Sequence, residues 1–403
     1  MNELQRFKAV VNFEKPDYIP IFAFPWVPGI SYGTVEPVRK KLISQGMPEW
    51  VGRFDYDKTS SSSPDFWSGY ISSGTEGAAS WMRYWGTTGP LTLDFLPAGK
   101  SKGFAVETRI EGDYEIIESE SGAITRQVLN NEETYSMPEF IRFDVRDRAS
   151  WELYKDRKTP GPLWSSDKID EVCRKYDGRT RPLSVSVMGT WGYMRDIAGP
   201  EKALLMLYDD PELAHEIIDW FDWIRRTYIF PLIRRLKPEI LQSGEDICYN
   251  HGMLISPGQF REFCGRSYTS IAQIGRECGA DLIAVDSDGN VMEFAPLVEE
   301  LGFNGLYPFE VKSNNDMMKI RREHPRFVIM GGLEKEVLNE GGGGGAIEAE
   351  IMSKVPGLLE YGGYFPNNDH GIQPMVTFEN LCRFMTLLHE VTENPEGEFP
   401  RIK

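Results

Sequence analysis

From about residue 180 onward, short apolar runs alternate with stretches that have the three- and four-residue spacing of amphipathic helices. The runs are Leu183–Met188, Ile240–Ser243, Leu282–Val285, Gly305–Tyr307, Phe327–Met330 and Gly362–Phe365. Each run has the length of a buried strand, and each intervening stretch is long enough to cross back over a sheet. Strands that alternate with helices predict parallel βα units.

The stretches between the runs carry signals for helix starts. Asp210-Pro211 and Ser256-Pro257 each combine an N-cap residue with a proline at the first helical position. After Asp210, apolar side chains recur on one helical face, at Leu213, Ile217, Trp220, Phe221, Ile224 and Tyr228. Further helices are predicted at Met317–Ile320, Ile347–Leu359 and Phe378–Leu388, and Gly341–Gly345 is predicted to be a flexible surface loop before a helix that starts near Ala346.

An earlier apolar run, Tyr18–Phe24, brings the candidate strands close to the eight of a (β/α)₈ barrel. The fold class predicted is therefore α/β, a TIM barrel. A doubly wound open sheet is the alternative, but no GxGxxG follows a first strand.

The stretch from about residue 30 to 165 has a different pattern. Its alternating segments Gly103–Ile110 and Tyr114–Val128 are typical of antiparallel hairpins. Seven of the ten tryptophans lie before residue 165, and aromatic packing onto the barrel explains them most simply. We interpret this stretch as an N-terminal elaboration of one barrel domain that spans residues 1–403.

Composition excludes several classes of function. The chain has 44 basic and 61 acidic residues, a net charge of −17, which disfavours nucleic acid and anionic membranes as partners and makes a polyanionic substrate awkward. The five cysteines form no CxxC pair, as expected for reduced thiols in the cytoplasm. We find no signal peptide and no apolar run long enough to span a membrane, so a cytoplasmic protein is expected.

Polar side chains follow most of the predicted strands, where a parallel barrel has its active site. They include Glu245 after the second run, Asp286, Asp288 and Asn290 after the third, Tyr307 and Glu310 at the fourth, and Asp369-His370 after the last. Helix capping accounts for some of them. It does not account well for Asp286 together with Asp288, because alternate strand residues point the same way and two close carboxylates repel unless a metal or a shared proton compensates.

Histidines are few enough to be considered one at a time. His215, His324 and His389 lie in predicted helices, where packing or exposure explains them, and His251 lies in a loop after a strand. His370, in Asn-Asp-His-Gly at a strand end, is the best catalytic or ligand candidate. No GxSxG and no HExxH occurs.

At these residues the chain resembles the uroporphyrinogen decarboxylase superfamily. The shared motifs are Arg6-Phe-Lys-Ala, Phe13-Glu-Lys-Pro-Asp-Tyr-Ile-Pro20, Gly189…Arg195-Asp-Ile-Ala-Gly199, Leu207-Tyr-Asp-Asp-Pro211, Gly244-Glu-Asp, Leu254-Ile-Ser-Pro257, Asp286-Ser-Asp-Gly-Asn290, Gly331-Gly-Leu-Glu-Lys335 and Asp369-His370. The resemblance implies a (β/α)₈ barrel with its site at the carboxyl ends of the strands.

The superfamily holds two chemistries. Its namesake branch decarboxylates uroporphyrinogen without a cofactor and grips the substrate carboxylates with an arginine-rich segment after the first strand. Here that segment is Ile21-Phe-Ala-Phe-Pro-Trp-Val-Pro-Gly29, which has no arginine. The other branch moves a methyl group between a small donor and the cobalt of a separate corrinoid protein, and the resemblance therefore points to this branch.

Members of this branch that act on thiols carry a zinc motif, His-x-Cys with a distant Cys. In this sequence Asp286 stands at the His, Asp288 at the first Cys and His370 near the distant Cys, so zinc activation of a thiol is not expected. Together with Glu245, these residues form the predicted catalytic set. They also form a candidate metal set of oxygen and nitrogen donors, with zinc or a harder metal as the ion.

The subgroup with Asp-x-Asp-Gly-Asn and Asp-His resembles methyltransferases that demethylate methoxylated compounds such as aromatic methyl ethers. The resemblance implies cobalamin on a partner corrinoid protein, and no Asp-x-His-x-x-Gly motif for binding cobalamin occurs in this chain. The leaving oxygen then needs a metal or a proton from His370 or an aspartate. Phe22, Phe24, Trp26 and Tyr307 are predicted to form an apolar pocket for the arene, with Asn250, Asn290 and Glu310 orienting its polar groups.

Two other functions stay open. One is a cofactor-independent decarboxylase or lyase that acts on a small acid, with Asp286 or Asp288 as the proton donor. The other is a barrel without catalytic activity that binds or regulates, since the fold alone does not decide function.

Overall fold

The computed structural model describes residues 1–23, 34, 36–53, 76–93, 96–129 and 138–402. In these residues the strands are β1 (Leu91–Leu93), β2 (Glu107–Glu111), β3 (Tyr114–Glu118), β4 (Ile124–Val128), β5 (Glu139–Arg142), β6 (Leu183–Ser186), β7 (Ile240–Gly244), β8 (Cys248–Tyr249), β9 (Gly252–Met253), β10 (Leu282–Asp286), β11 (Gly305–Tyr307), β12 (Val328–Leu333) and β13 (Tyr364–Asn368).

The α-helices of the same residues are α1 (Glu3–Val11), α2 (Glu36–Ser44), α3 (Glu76–Trp85), α4 (Arg148–Lys158), α5 (Ser166–Arg174), α6 (Trp191–Ala198), α7 (Pro200–Asp209), α8 (Pro211–Ile224), α9 (Phe230–Leu236), α10 (Pro257–Phe263), α11 (Gly265–Cys278), α12 (Phe294–Glu300), α13 (Met317–Glu323), α14 (Gly344–Tyr361) and α15 (Phe378–Thr392). A π-helical turn, Arg225–Ile229, joins α8 to α9, and 3₁₀ turns lie at Val311–Ser313 and Lys335–Leu338.

Seven strands form one sheet in the order β1-β6-β7-β10-β11-β12-β13, and every pair in it is parallel. Phe22 takes the eighth place through a parallel bridge to Thr88, just before β1. On the other side, the Asn367 amide donates to the Phe22 carbonyl at 3.4 Å. The predicted (β/α)₈ barrel is confirmed, and in the described residues its first strand is represented by this short bridge.

Alternation along each strand separates the inside of the barrel from the outside. Leu282 and Ala284 of β10 lie in the inner apolar cluster, whereas Ile283 and Val285 belong to the outer cluster that packs against the helices. The inner cluster is closed at the bottom by α1, where Phe7 contacts both Phe22 and Phe365 with ring centroids 5.3 and 5.6 Å apart. In the part of the chain that the structure describes, the inside of the barrel is therefore left for a site at the opposite end, where the strands finish.

The elaboration contains the antiparallel structure that was predicted. Strands β2, β3, β4 and β5 form a separate four-stranded antiparallel sheet. β1, however, lies within the same stretch of sequence and pairs with β6 in the barrel. Trp81, Trp85 and Trp151 are fully buried, which agrees with a packing role.

The predicted helix starts are confirmed at both Asx/Ser-Pro pairs. The Asp210 side chain accepts from the Leu213 amide at the start of α8, and Ser256 forms a capping box with Gln259 at the start of α10. α14 begins at Gly344, inside the glycine run and earlier than predicted. Among the described residues, no helix has the length and hydropathy needed to cross a bilayer.

Candidate active site at the mouth of the barrel

Two predicted side chains face each other at the mouth of the barrel. β10 ends at Asp286 and β13 at Asn368, and Asp288 and His370 each lie two residues further on. His370 Nε2 is 3.5 Å from Asp288 Oδ2. The His370 side chain is 22% exposed to solvent and the Asp288 side chain 39%. The pair is therefore held in place yet within reach of a molecule that enters the mouth.

Both members of this pair hold protons more strongly than isolated groups do. Loss of hydration raises the pKa of Asp288, repulsion by nearby carboxylates adds to this, and the hydrogen bond and charge of His370 oppose it. For His370, burial disfavours the imidazolium, but the hydrogen bond and charge of Asp288 outweigh it and raise the pKa above its ordinary value. Each of the two groups therefore keeps its proton to higher pH than an isolated group of its kind.

Asp286 lies inside the barrel because it continues the inward series of Leu282 and Ala284. Its Oδ1 is buried and has no hydrogen-bond partner in the described part of the chain. Tyr307 faces the same interior and is 2% exposed. Burial, followed by the charge of Asp286, raises the pKa of Tyr307 well above its ordinary value, so these two side chains are neighbours.

An unpaired buried carboxylate is costly, and a raised pKa lowers that cost because the neutral form of Asp286 persists to higher pH. Burial raises the pKa of Asp286 well above its ordinary range, and repulsion by Asp246, Asp288 and Glu310 raises it further. Arg195 opposes this shift only weakly. The mouth therefore holds a further group with a raised pKa beside the pair of Asp288 and His370.

Asp246 and Arg195 belong to the site, although sequence reasoning assigned them no role. Arg195 Nη1 donates to the Asp246 carbonyl at 2.9 Å and Nη2 to its carboxylate at 3.2 Å. Asp246 Oδ1 in turn accepts from the Asp288 amide at 3.4 Å. The only sequence signals are their places in the Gly244-Glu-Asp and Arg195-Asp-Ile-Ala-Gly199 motifs.

A lysine, Lys335, connects the loops after three neighbouring strands. Its Nζ lies 3.6 Å from Glu310 Oε1 and 3.9 Å from Asp369 Oδ1. Asp369 is 1% exposed and accepts the amides of Val311 at 2.8 Å and Lys335 at 3.1 Å. Asp369 therefore ties the loop after β11 to the loop after β12 and fixes the position of His370, which follows it.

Glu245 does not join the other predicted catalytic residues. It continues the outward series Leu241 and Ser243 of β7, so it points toward the helices. Its two carboxylate oxygens accept the amides of Thr190 and Gly192, each at 2.7 Å, and it is 2% exposed. Glu245 thus holds the start of α6, the helix that carries Arg195.

The predicted substrate-binding residues have different surroundings. Asn250 is exposed and accepts from Ser313 Oγ at 3.4 Å. Asn290 is engaged locally, since Nδ2 donates to the Ser313 carbonyl at 2.7 Å and Oδ1 accepts the Met292 amide at 3.2 Å. Glu310 lies at the mouth and accepts the Gly289 amide at 2.8 Å. Phe24 and Trp26 lie outside the described residues.

Neither a metal nor a thiol is supported by this geometry. No three His, Cys, Asp or Glu side chains of the described ranges are arranged to bind one metal ion. The Glu245 amide donates to the Asp286 carbonyl at 2.9 Å, but the Glu245 carboxylate points to the start of α6 instead. The residues do not fit the predicted metal. Burial raises the pKa of Cys248, the thiol nearest the site in sequence, to about 12, which keeps this thiol protonated.

Comparison with known proteins identifies a family and a fold. The family model described as uroporphyrinogen decarboxylase (URO-D) matches residues 131–391. No curated protein matches the chain. A solved structure described as a methyltransferase from Methanosarcina mazei aligns over 97% of this chain and 99% of its own, with a TM-score of 0.56 and 15% identity. At that identity the similarity establishes the fold.

A second solved structure, the IOLI protein with a bound zinc atom, aligns over 64% of this chain and 89% of its own. The TM-score is 0.34 and the identity is 10%. At such a score the similarity supports no conclusion about the site of this chain.

Proposed function

Because this chain belongs to the uroporphyrinogen decarboxylase family, we propose that it is the methyltransferase of a corrinoid-dependent O-demethylase. It transfers a methyl group from a methoxylated small molecule to the cobalt of a separate corrinoid protein. The proposed class of donor is an aromatic methyl ether. The pairing of His370 with Asp288 at the mouth of the barrel carries this proposal.

The difficult part of ether demethylation is the leaving group. An alkoxide or phenolate leaves poorly unless its developing negative charge is neutralised. A protonated side chain at the leaving oxygen meets this need, and general acid catalysis contributes about 10²–10⁴-fold in rate. His370 and Asp288 are suited to the task because both keep their protons to higher pH than usual.

The corrinoid of the partner supplies a strong cobalt nucleophile that accepts the methyl group. The role of this chain is to protonate the leaving oxygen of the ether. As the bond between the methyl carbon and the oxygen breaks, its electron pair stays on oxygen, and the proton on His370 Nε2, which faces Asp288 Oδ2 at 3.5 Å, moves to that oxygen. The product leaves as a neutral phenol or alcohol. The pair regains its proton from water, since 39% of the Asp288 side chain is exposed.

A partner that carries the cofactor needs access to this pair from outside the barrel. Asp246, with 42% of its side chain exposed, and Asp288 both retain contact with solvent at the strand ends. The other end of the barrel is closed by α1 and the ring of Phe7. These observations support docking of a corrinoid protein over the mouth.

The namesake reaction of the family is less well supported. Its octacarboxylate substrate needs several basic side chains, and the segment Ile21–Gly29 contains none. The mouth instead carries Asp246, Asp286, Asp288 and Glu310. A net charge of −17 adds long-range repulsion.

The proposed function is tested by mixing the protein with a reduced corrinoid protein and a panel of methoxyarenes, methylamines and methylthio compounds. Equal amounts of methylated corrinoid and free phenol are expected from the methoxyarenes. An absence of methyl transfer from the whole panel contradicts the proposal.

A decarboxylase or lyase that acts on a small acid is the second candidate. Asp286 favours it, because a buried carboxyl with a raised pKa and an unpaired oxygen is suited to protonate a carbanion left by loss of carbon dioxide. Release of carbon dioxide from a small acid without any corrinoid would support this function.

A further inference from the structure

Each cationic side chain described at the mouth is already held by carboxylates. Arg195 lies between Asp196, at 2.9 Å, and Asp246, at 3.2 Å. Lys335 lies between Glu310, at 3.6 Å, and Asp369, at 3.9 Å, and only 15% of its side chain is exposed.

The third cationic group is the imidazole of His370, and Asp288 faces it at 3.5 Å. Asp286 adds a further carboxyl group that has no cationic partner within hydrogen-bond distance among the described residues. Among the described residues, carboxyl groups therefore outnumber cations around the space that the substrate enters even when Asp286 is not counted, and every one of these cations has a partner.

This arrangement constrains the charge of the substrate. An anionic group that enters the mouth loses hydration and faces carboxylates, and it gains a counter-charge only by displacing Glu310 or Asp369 from Lys335, or Asp246 from Arg195. Like charges brought together cost several kcal/mol, and such repulsion commonly rejects wrong partners. A neutral or cationic molecule does not meet this cost.

We infer that the methyl donor carries no anionic group: it is an uncharged or positively charged methoxylated compound. This inference rests on the proposed function for the identity of the reaction, but it concerns the charge of the bound molecule and has its own readout.

Three methoxyarenes that share one reacting ether test it: 2-methoxyphenol, 4-hydroxy-3-methoxybenzylamine and 4-hydroxy-3-methoxybenzoate. Their dissociation constants are measured by calorimetry without a corrinoid protein, and their kcat/KM for methyl transfer with one. The benzoate is expected to bind at least about tenfold more weakly than the phenol, and the amine at least as tightly as the phenol.

Benzoate binding as tight as that of the phenol, or tighter, overturns the inference even if methyl transfer proceeds. The expected order of binding without methyl transfer from any donor supports the inference and counts against the proposed function. No binding of any of the three overturns the inference for methoxyarenes.

A pair of matched variants separates the local arrangement from the overall charge. Glu310→Gln keeps an oxygen for the Gly289 amide but releases one carboxylate from Lys335. It is expected to lower the ratio of the benzoate dissociation constant to the phenol dissociation constant about tenfold. Glu336→Gln removes the same charge from a residue that pairs with Lys312 at 3.3 Å and is expected to leave the ratio unchanged. Equal ratios in both variants and the unaltered protein contradict the role of Lys335.

Discussion

His370 and Asp288 meet across the mouth of the barrel from two strands that are not neighbours. His370 follows β13 and Asp288 follows β10, with β11 and β12 between them, and Nε2 lies 3.5 Å from Oδ2. Only a closed and strongly curved sheet brings these two loops together. The contact is thus a product of the whole fold, and four predictions depend on it or on the residues that hold it.

Replacing the imidazole removes the proton donor. His370→Asn is expected to lower kcat/KM for methyl transfer from a methoxyarene about 10²–10⁴-fold, because the leaving oxygen departs without its proton. His251→Asn is the control, since His251 is exposed on the hairpin of β8 and β9 and does not face Asp288. A loss of less than about threefold in His370→Asn contradicts a role as general acid.

The dependence of the rate on pH follows from the direction of the shifts. The pKa of His370 is raised in the folded protein, so the proton needed by the leaving group is present at low pH and is lost as pH rises through the raised value. Asp288→Asn removes the hydrogen bond and charge that raise it, and the alkaline fall of kcat/KM is expected at lower pH in that variant. If kcat/KM of the variant falls at the same pH as in the unaltered protein, or at a higher pH, another group supplies the proton.

Glu245 is expected to act on stability and not on the chemical step. Glu245→Ala leaves the buried amides of Thr190 and Gly192 without acceptors, at about 1–3 kcal/mol each, and urea denaturation measures the loss. The surviving folded protein should keep the pH profile of the unaltered chain. Glu393→Ala is the control, because 62% of that side chain is exposed. Unchanged stability of Glu245→Ala would mean that the carboxylate does not hold α6.

The start of α6 also depends on Gly189. A Cβ at this position would overlap the carbonyl oxygen of Gly244, so Gly189→Ala is expected to destabilise the protein by about 1–3 kcal/mol. It is also expected to lower the rate of methyl transfer, because a shift of α6 moves Arg195. Gly357→Ala, inside α14, meets only Met318 at 3.9 Å and is expected to stabilise by about 0.5–1 kcal/mol. Equal stabilities of the two variants contradict this account of the close contact.

Much of the fold follows from the pattern of apolar runs, because barrel strands are buried on both faces and stand out from the polar helices around them. All six runs after residue 180 contain a barrel strand. β1 escapes detection because it has three residues, too few to show a pattern. The strand predicted at Tyr18–Phe24 lies partly outside the described residues, and its described part pairs only at Phe22.

The candidate site is predicted less well from the sequence than the fold is. Asp286 and Glu245 both lie at strand ends, but Asp286 faces the inside of the barrel and Glu245 faces the helices. The alternation of side chains along each strand determines these two directions. Glu245 shares its side with Leu241 and Ser243, a signal that was present in the sequence. The pairing of Lys335 with Glu310 and Asp369 could not be predicted, because it depends on loops from three strands that only the closed barrel brings together.

The central claim, that His370 and Asp288 protonate the leaving oxygen, is tested most directly by varying the leaving group. The measurement is kcat/KM for methyl transfer from a series of ring-substituted methoxybenzenes, plotted against the acidity of the phenol released, for the unaltered protein and for His370→Asn. A shallow slope in the unaltered protein and a steep one in the variant are predicted, because only the variant releases a bare phenolate. Parallel slopes, with the variant as slow on nitrophenyl ethers as on simple ones, would contradict the claim.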